Sequence, residues 1–298
     1  MLYSPPRMPV AKKISGFTLL ELIIVIIILG VMSVGISGFI TLSTQTYLNV
    51  TERDELLSSA RFAVERLNRE LRNAVPNSIR TIVDNNTSPT KQCIEFIPIK
   101  ASTVYTDIPV KPDPESNQVS VVSFNISQST FYSCPIAPAS NCNDYIVVYP
   151  LEESDVYNFD VGLGEGKVSQ FKAFPVALDL TDDIWTVPVE PDGGMVFDEH
   201  SPTERLYIFD STVSYCISGI DFELTRHQGN SFNNNQLIPA SDDSVLMAEN
   251  LIFDKDELPF TYAEASLQRN AVVQVKLTFD RDGEVISFDN DVHIENVP

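Results

Sequence analysis

The chain has 298 residues and a formal net charge of −21, and 43% of its residues are hydrophobic. That length and apolar content are sufficient to bury a substantial core, in one large domain or two small ones. Residues 76–298 hold 12 bases against 35 acids, so this part of the chain lacks the basic surface that nucleic-acid binding requires. We therefore exclude nucleic acid as a partner and expect an acidic domain that faces an aqueous compartment.

The N-terminus joins a short basic segment to a long apolar one. Residues 1–16 carry three bases and no acid, and residues 17–40 carry a single charge, Glu21. At 1.5 Å per residue a helix of that length spans about 36 Å, which is enough to cross a bilayer. The bases predict a cytoplasmic N-terminus and a translocated remainder. No small-residue cleavage site follows the apolar run, and the Glu21 carboxylate is costly in hydrocarbon unless it is paired.

The run Gly16-Phe17-Thr18-Leu19-Leu20-Glu21 resembles the processing signal of type IV prepilins and pseudopilins. In that family the prepilin peptidase cuts after the glycine, and the new N-terminal residue is methylated. The resemblance implies cleavage after Gly16, N-methylation of Phe17 and a role for Glu21 in assembly. Since Glu21 can neutralise the terminal amine of a neighbouring subunit, we expect that pair to set subunit register. The competing interpretation is a plain signal anchor with an isolated glutamate.

Beyond the apolar run the helix is predicted to continue to about Ala74 as an amphipathic element. One apolar stripe recurs at three- and four-residue steps: Leu56, Ala60, Ala63, Val64, Leu67, Leu71 and Ala74. Acid–base pairs four residues apart, such as Arg66 and Glu70, support this helix, and Pro76 ends it. We expect the stripe to pack under the sheet of the following domain; packing against other filament helices is the alternative.

After Pro76 short runs of β-branched and aromatic residues alternate with turn residues, which predicts strands. The predicted strands are Cys93–Ile97, Val119–Ile126, Tyr145–Tyr149, Gly166–Phe174, Leu206–Phe209, Val213–Ile217, Ala271–Phe279 and Val285–Phe288. The last two form a hairpin around Asp280-Arg281-Asp282-Gly283. Pro109–Asn117 and Leu224–Ser241 are predicted loops. The fold class is α+β, a long N-terminal helix docked on a large antiparallel β-rich head.

This organisation predicts four segments: a leader at 1–16, a transmembrane or filament-core helix at 17–40, its amphipathic continuation at 41–75, and a head at 76–298. The segment Ser58–Arg80 and residues 214–229 resemble large minor pilins of the PilW kind and J-type pseudopilins of type II secretion. The similarity is greatest to minor pilins of the mannose-sensitive haemagglutinin (MSHA) pilus.

The resemblance implies a minor type IV pilin that primes pilus assembly and sits at or near the filament tip through helix–helix packing. Its implied partners are other major and minor pilins, the prepilin peptidase, the inner-membrane assembly platform and membrane lipid. The chain would span the inner membrane once, with a cytoplasmic N-terminus and a periplasmic head, and then reach the cell surface. The alternatives are a J-like minor pseudopilin and a tip adhesin whose acidic head binds a surface ligand.

The four cysteines all lie on the predicted translocated side, where disulfides persist. They allow three pairings. We favour Cys134 with Cys142, which closes a short loop, and this leaves Cys93 with Cys216 as a long-range staple. Free buried thiols are the alternative.

Chemistry of other kinds has little support in the sequence. Asp280, Asp282 and Glu284 match a fragment of a calcium loop, but a hairpin turn explains them better, so they are named only as calcium candidates. No nucleophile, phosphate loop or metal spacing is visible, so we predict no enzyme and no cofactor. Trp185 and Tyr157 belong to a set of aromatics that would suit a sugar-binding surface, although core packing explains them more simply.

Overall fold

The computed structural model describes residues 16–84, 91–123, 144–172, 182–229, 231–239, 244–253, 257–264 and 270–294. The chain divides into two units, one ending at Leu56 and the other beginning at Leu57. A long N-terminal helix precedes a large antiparallel β-rich head, which confirms the predicted fold class. The four-segment division with its finer boundaries stays a prediction.

The N-terminal helix, α1, runs from Leu19 to Arg72. Its sequence is rich in Leu, Ile, Glu and Arg and contains no proline, so nothing in it breaks the helical hydrogen-bond ladder. It ends two residues before the predicted Ala74. There the N–H groups of Asn73 and Ala74 donate to carbonyls three residues back, and the N–H of Val75 donates instead to Ile97 at 2.8 Å. Bonds to the carbonyl three residues back, such as those of Asn73 and Ala74, commonly tighten the last turn of a helix.

The apolar stripe of the amphipathic half is buried as predicted. All seven positions from Leu56 to Ala74 are at most 5% exposed, and Ala63, Leu67 and Leu71 are fully buried. In the unit that begins at Leu57, the helix is also tied to a strand, because the Arg226 guanidinium donates to the Glu70 carboxylate at 2.9 Å. The periodicity of the sequence therefore identified the buried face of α1 correctly.

The head contains two minor helical turns and seventeen strands among the described residues. The turns are α2 (Ser154–Tyr157) and a 3₁₀ helix (Val161–Leu163). The first strands are β1 (Arg80–Asp84), β2 (Lys91–Phe96), β3 (Ala101–Asp107), β4 (Gln118–Val122), β5 (Tyr145–Val148), β6 (Glu165–Gly166), β7 (Val168–Gln170), β8 (Ile184–Pro188) and β9 (Val196–Phe197). The remaining strands are β10 (Arg205–Phe209), β11 (Thr212–Ser218), β12 (Glu223–Gly229), β13 (Ser244–Ala248), β14 (Leu251–Ile252), β15 (Phe260–Ala263), β16 (Ala271–Arg281) and β17 (Glu284–Ile294).

These strands form three antiparallel sheets and one short parallel pair. The five-stranded sheet has the order β1-β2-β11-β12-β13, and the six-stranded sheet has the order β7-β5-β10-β3-β4-β8. A third sheet places β16 between β17 on one side and β14 and β15 on the other. Strands β6 and β9 pair in parallel. Sequential neighbours such as β11 and β12 are joined directly, and this keeps much of the pairing local.

Large buried side chains fill the head. One cluster on the six-stranded sheet includes Trp185, Phe171 and Phe197, each at most 2% exposed. A second cluster gathers Tyr157 and Phe209 with residues of β5, β7 and the segment after α1. The interpretation of Trp185 and Tyr157 as core residues is thus confirmed, since neither ring is available to line a sugar-binding surface.

Most predicted strands are present, with shifts at their ends. Of the predicted strand Gly166–Phe174, Gly166 belongs to β6 and Val168–Gln170 form β7, and residues 173–174 lie outside the described residues. Val285–Phe288 extends to the eleven residues of β17. The predicted hairpin turn is present, and its two central residues, Asp282 and Gly283, both have positive φ angles. The part of the predicted strand Val119–Ile126 beyond residue 123 lies outside the described residues.

One predicted loop is wrong over its first six residues. Residues 224–229 of the supposed loop Leu224–Ser241 belong to β12, which pairs with β11 and β13. The polar run Thr225-Arg226-His227-Gln228 concealed the strand. In the structure Leu224 and His227 are buried while Gln228 is exposed. Because only Leu224 of the two buried residues is apolar, the sequence does not show which side of β12 faces the core. Residues 231–239 are without regular structure, as predicted.

Candidate functional site

The start of α1 is an exposed, well-capped helix terminus. The N–H of Glu21 donates to the Thr18 hydroxyl at 3.2 Å, which is the bond that an N-cap threonine makes to the third helical residue. Glu21 therefore occupies the first turn, where its negative charge is favoured by the helix dipole. Gly16 and Phe17 precede the helix and are exposed. The predicted processing and assembly residues thus lie within six consecutive positions at one end of α1.

The first half of α1 presents an apolar surface on every side. Each residue from 16 to 51 is exposed, and this includes Ile27 at 60% and Val34 at 76%. Among the described residues, α1 is the one helix that is long and apolar enough to cross a membrane, judged by length and composition. A helix that is apolar all round needs lipid or other helices around it. Together with its position near the N-terminus, this surface fits membrane anchoring with an outward-facing head.

Glycines leave this apolar surface open at three levels. Apart from the adjacent residues and the nearby backbone of the helix itself, no atom lies within 4 Å of the position a Cβ would take at Gly30, Gly35 or Gly38. Helix α1 runs through all three without a break. Small residues in lipid permit close approach of neighbouring helices. The surface is therefore suited to helix–helix packing as well as to lipid.

The second half of α1 carries an ion cluster that joins it to the five-stranded sheet. Glu70 accepts from Arg66 one turn earlier and from Arg226 of β12, each at 2.9 Å. Tyr215 of β11 is fully buried, and burial, followed by the charge of Glu70, raises the pKa of its hydroxyl. Since Glu70 is only 19% exposed, these bonds are less screened by solvent than a surface pair.

A disulfide staples the same sheet. Cys93 of β2 and Cys216 of β11 stand directly opposite each other in the antiparallel register, and their Cα atoms are 4.1 Å apart. The bond joins residues separated by 123 positions, which is the long-range pairing that the sequence left for these two cysteines. Cys134 and Cys142 lie outside the described residues, so their pairing stays a prediction.

Residues 11–37 match the family model of the prokaryotic N-terminal methylation motif. The motif supports a pilin or a pseudopilin. It implies processing by the prepilin peptidase and assembly with other pilins, and it suggests a structural subunit in place of an enzyme. No curated protein and no solved structure matches the chain.

The matched segment coincides with the structural features at the start of α1. It contains Gly16, Phe17, the Thr18 cap and Glu21, and it ends at Ser37 inside the exposed apolar surface. The methylation motif and the exposed start of α1 therefore lie in the same segment of the chain, and the family model matches no residue of the head.

A buried arginine, which the sequence analysis did not identify, organises the part of the head next to α2. The Arg80 guanidinium of β1 is 5% exposed and bonds the Glu95 carboxylate at 2.6 and 3.0 Å. A second carboxylate, that of Glu153, accepts at 3.0 Å. The guanidinium also lies 3.5 Å from the ring centroid of Tyr157, a cation–π arrangement. These partners offset the cost of burying the charge.

The same arginine fixes the segment 231–239. Its terminal nitrogens donate to the backbone carbonyls of Asn233 at 2.9 Å and Asn234 at 3.2 Å. The neighbouring Phe232 packs edge-on against Tyr145 and Phe209, with ring centroids 5.2 and 5.3 Å apart. An asparagine-rich segment without regular structure is thereby anchored by one charged group and one aromatic ring.

The calcium candidates lie at the β16–β17 turn. The carboxylate of Asp280 accepts from the N–H of Gly283 at 3.1 Å, a bond that stabilises the turn itself. In the described part of the chain no three His, Cys, Asp or Glu side chains are grouped so that they could hold a metal ion. The Asp280 side chain thus has a role in the hairpin, and calcium binding by Asp280, Asp282 and Glu284 stays untested.

Proposed function

We propose that this chain is a minor type IV pilin of the MSHA kind, most like the minor pilin MshO, that primes pilus assembly and sits at or near the filament tip. The observation that carries the proposal is the exposed apolar half of α1, which begins within the methylation motif. Such a surface is stable in a membrane before assembly and against other pilin helices afterwards. In this account the prepilin peptidase cuts after Gly16, and Phe17 becomes the methylated N-terminus.

Glu21 supplies the specific contact in this account. Its carboxylate is exposed on an otherwise apolar surface, and an unpaired charge there is costly in a hydrocarbon environment. Cleavage after Gly16 creates a positive amine on Phe17 that has the same cost. Placing the Phe17 amine of one subunit against Glu21 of the next removes both penalties together. Only one axial offset between helices allows this contact, so the pair defines the subunit register.

The size of the head supports low copy number and a terminal position. Some 35 acids lie between residues 76 and 298, and the described strands of this region build three separate sheets. Heads of this size and charge would crowd and repel one another if repeated in every subunit. A position at the tip, with few copies, avoids that crowding. Extraction from the membrane would be driven by the assembly ATPase and not by this chain.

The proposal is tested by counting surface filaments in a strain that lacks the chain, and in the same strain given back wild-type, Glu21→Ala or Asp54→Ala copies. Asp54 is a matched control because it is an exposed acid of the same helix. We expect filaments to vanish in the deletion, to return with wild type and Asp54→Ala, and to stay scarce with Glu21→Ala. Equal protein levels in the envelope are verified by immunoblot.

Other outcomes identify the alternatives. Normal filaments with lost protein secretion would indicate a J-like pseudopilin, since the processing signal is shared by both systems. Normal filaments with lost attachment would indicate a tip adhesin. Full filament numbers with Glu21→Ala would contradict the register role assigned to this residue, whichever system the chain serves.

A further inference from the structure

The β16–β17 hairpin ends in a long edge that no described strand covers. Strand β17 pairs with β16 over eleven residue pairs, from Arg281 with Glu284 to Ala271 with Ile294. The other side of β16 is occupied by β14 and β15. Within the described ranges β17 therefore has a partner on one side only, and its outer edge offers unpaired backbone groups along its whole length.

The geometry of the turn defines which backbone groups lie on that edge. Asp282 and Gly283 have φ angles of 56° and 83°, the signature of a two-residue type I′ turn. The residues flanking such a turn are hydrogen-bonded to each other, and bonded and non-bonded pairs then alternate. The outward N–H and C=O groups accordingly belong to Val285, Ser287, Asp289, Asp291 and His293. All five of these residues are exposed.

The opposite face of β17 is an incompletely covered apolar row. Ile286 and Phe288 are only half-buried, whereas their partners on β16, Phe279 and Leu277, are at most 1% exposed. The Phe288 ring meets Phe279 edge-on, with centroids 5.9 Å apart. A further strand beside β17 would remove the remaining apolar surface of this row from water.

Charge argues against a second copy of this chain as the occupant. An antiparallel pair of two β17 strands centred on the exposed row would place Asp289 opposite Asp289, with Asp291 of each copy nearby. Like charges directly opposite each other destabilise a strand pair, and the whole chain carries a charge of −21. The edge thus favours a partner of opposite charge.

We propose that β17 is a docking edge for an extended segment of another protein, in which apolar residues alternate with lysine or arginine. The segment adds to the sheet as a further strand through the outward backbone groups of β17. Its basic side chains pair with Asp289 and Asp291, and its apolar side chains cover Ile286 and Phe288. This surface is independent of the pilin assignment, because it depends on the head alone.

The test measures binding of two labelled synthetic peptides to the purified full chain in detergent by fluorescence anisotropy. One short peptide alternates valine with lysine, and the other carries glutamate at the lysine positions. We expect the lysine peptide to bind about tenfold more tightly, because two favourable cross-strand charge pairs replace two unfavourable ones. The double variant Asp289→Lys with Asp291→Lys should reverse the preference.

Strand addition is separated from simple charge attraction by the backbone. Ser287→Pro removes an outward N–H without removing a bond to β16, and Ser287→Ala is its matched control. The proline variant should lose both peptides while the alanine variant binds normally. A lysine peptide N-methylated along one edge should fail to bind wild type, and this arm does not depend on the fold of the proline variant.

Three results would overturn the proposal. Equal or absent binding of the two peptides by wild type would exclude a charge-matched edge. Unchanged preference in the double lysine variant would place the contact elsewhere. Normal binding by the N-methylated peptide would show attraction without strand pairing.

Discussion

The two halves of α1 share one continuous helix but have opposite surfaces. Every residue from 16 to 51 is exposed, whereas the seven stripe positions of the second half are at most 5% exposed. The first half carries one acid in its apolar stretch, and the second half carries a balanced set of acids and bases that includes the Glu70 cluster. Both halves are helical because their local sequences favour a helix. The distribution of apolar side chains around each half determines whether that half packs against the head or stays exposed.

The two halves therefore depend on partners of different kinds. The second half has found its partners within its own chain, in the core of the head. The first half has none of its own in the described structure and needs lipid or other subunits. Substitutions in the second half should therefore change the stability of the head, and substitutions in the first half should change anchoring and assembly.

The largest loss of head stability is expected when the Cys93–Cys216 disulfide is removed. Replacing Cys93 and Cys216 together by alanine should lower the free energy of unfolding by roughly 5 kcal/mol. The disulfide closes a loop of more than a hundred residues, and a cross-link restricts the unfolded chain more when the loop that it closes is longer. Denaturant unfolding of the full chain in detergent checks this. Ile27→Ala, in the exposed half of α1, is the control, and equal unfolding midpoints for the two variants would show that the disulfide does not stabilise the head.

Removal of the buried arginine is expected to come next. Arg80→Ala should lower the free energy of unfolding by about 4 kcal/mol, because it leaves the Glu95 carboxylate buried without its main partner. Adding Glu95→Gln to this variant should restore part of the loss, since a neutral amide is cheaper to bury. A double variant that is less stable than Arg80→Ala would show that Glu95 is stabilised by groups other than Arg80.

A direct contrast between the halves uses one aliphatic truncation in each. Leu67→Ala should cost about 3 kcal/mol of head stability through lost burial and a cavity, because Leu67 is fully buried. Ile27→Ala should change head stability by less than about 0.5 kcal/mol, because Ile27 is 60% exposed. The midpoints of urea unfolding give both values. Similar losses in the two variants would mean that the halves do not differ as described.

The smallest effect concerns alkaline pH. Burial, followed by Glu70, raises the pKa of Tyr215 above its usual value near 10, so the folded state resists ionisation more than the unfolded state. The stabilisation is complete below about pH 10 and is lost progressively as the pH rises above it. Melting temperatures between pH 8 and 11 should fall less steeply for Tyr215→Phe than for wild type. Parallel curves would show that other groups dominate the alkaline loss.

Local sequence signals predicted the elements that depend on local physics. The motif around Gly16, the apolar helix and the stripe from Leu56 to Ala74 are all written in consecutive or regularly spaced residues. The β16–β17 hairpin was predicted for the same reason, because Asp282-Gly283 dictates a turn. These features account for the fold class and for the whole candidate processing segment.

Features that join distant residues were not visible in the sequence. Arg226 meets Glu70 across 156 positions, and Arg80 reaches Asn233 across 153, so no spacing rule connects them. Strand β12 was missed because Thr225-Arg226-His227-Gln228 is a run of polar residues without the polar–apolar alternation that predicts a strand. Pairing with β11 and β13 places this run in the sheet. A charged residue inside an otherwise apolar strand environment, such as Glu95 beside Ile94 and Phe96, is the one signal that marks a buried ion pair in advance.

The proposed role requires that the first half of α1 becomes the N-terminus of a processed prepilin-type subunit. It is tested most directly by mass spectrometry of the N-terminal peptide of the chain purified from cell envelopes. We expect a peptide that begins with N-methylated Phe17 in the wild type, and no such peptide in a Gly16→Leu variant. A chain that retains residues 1–16, or one cut beyond residue 40, would contradict it.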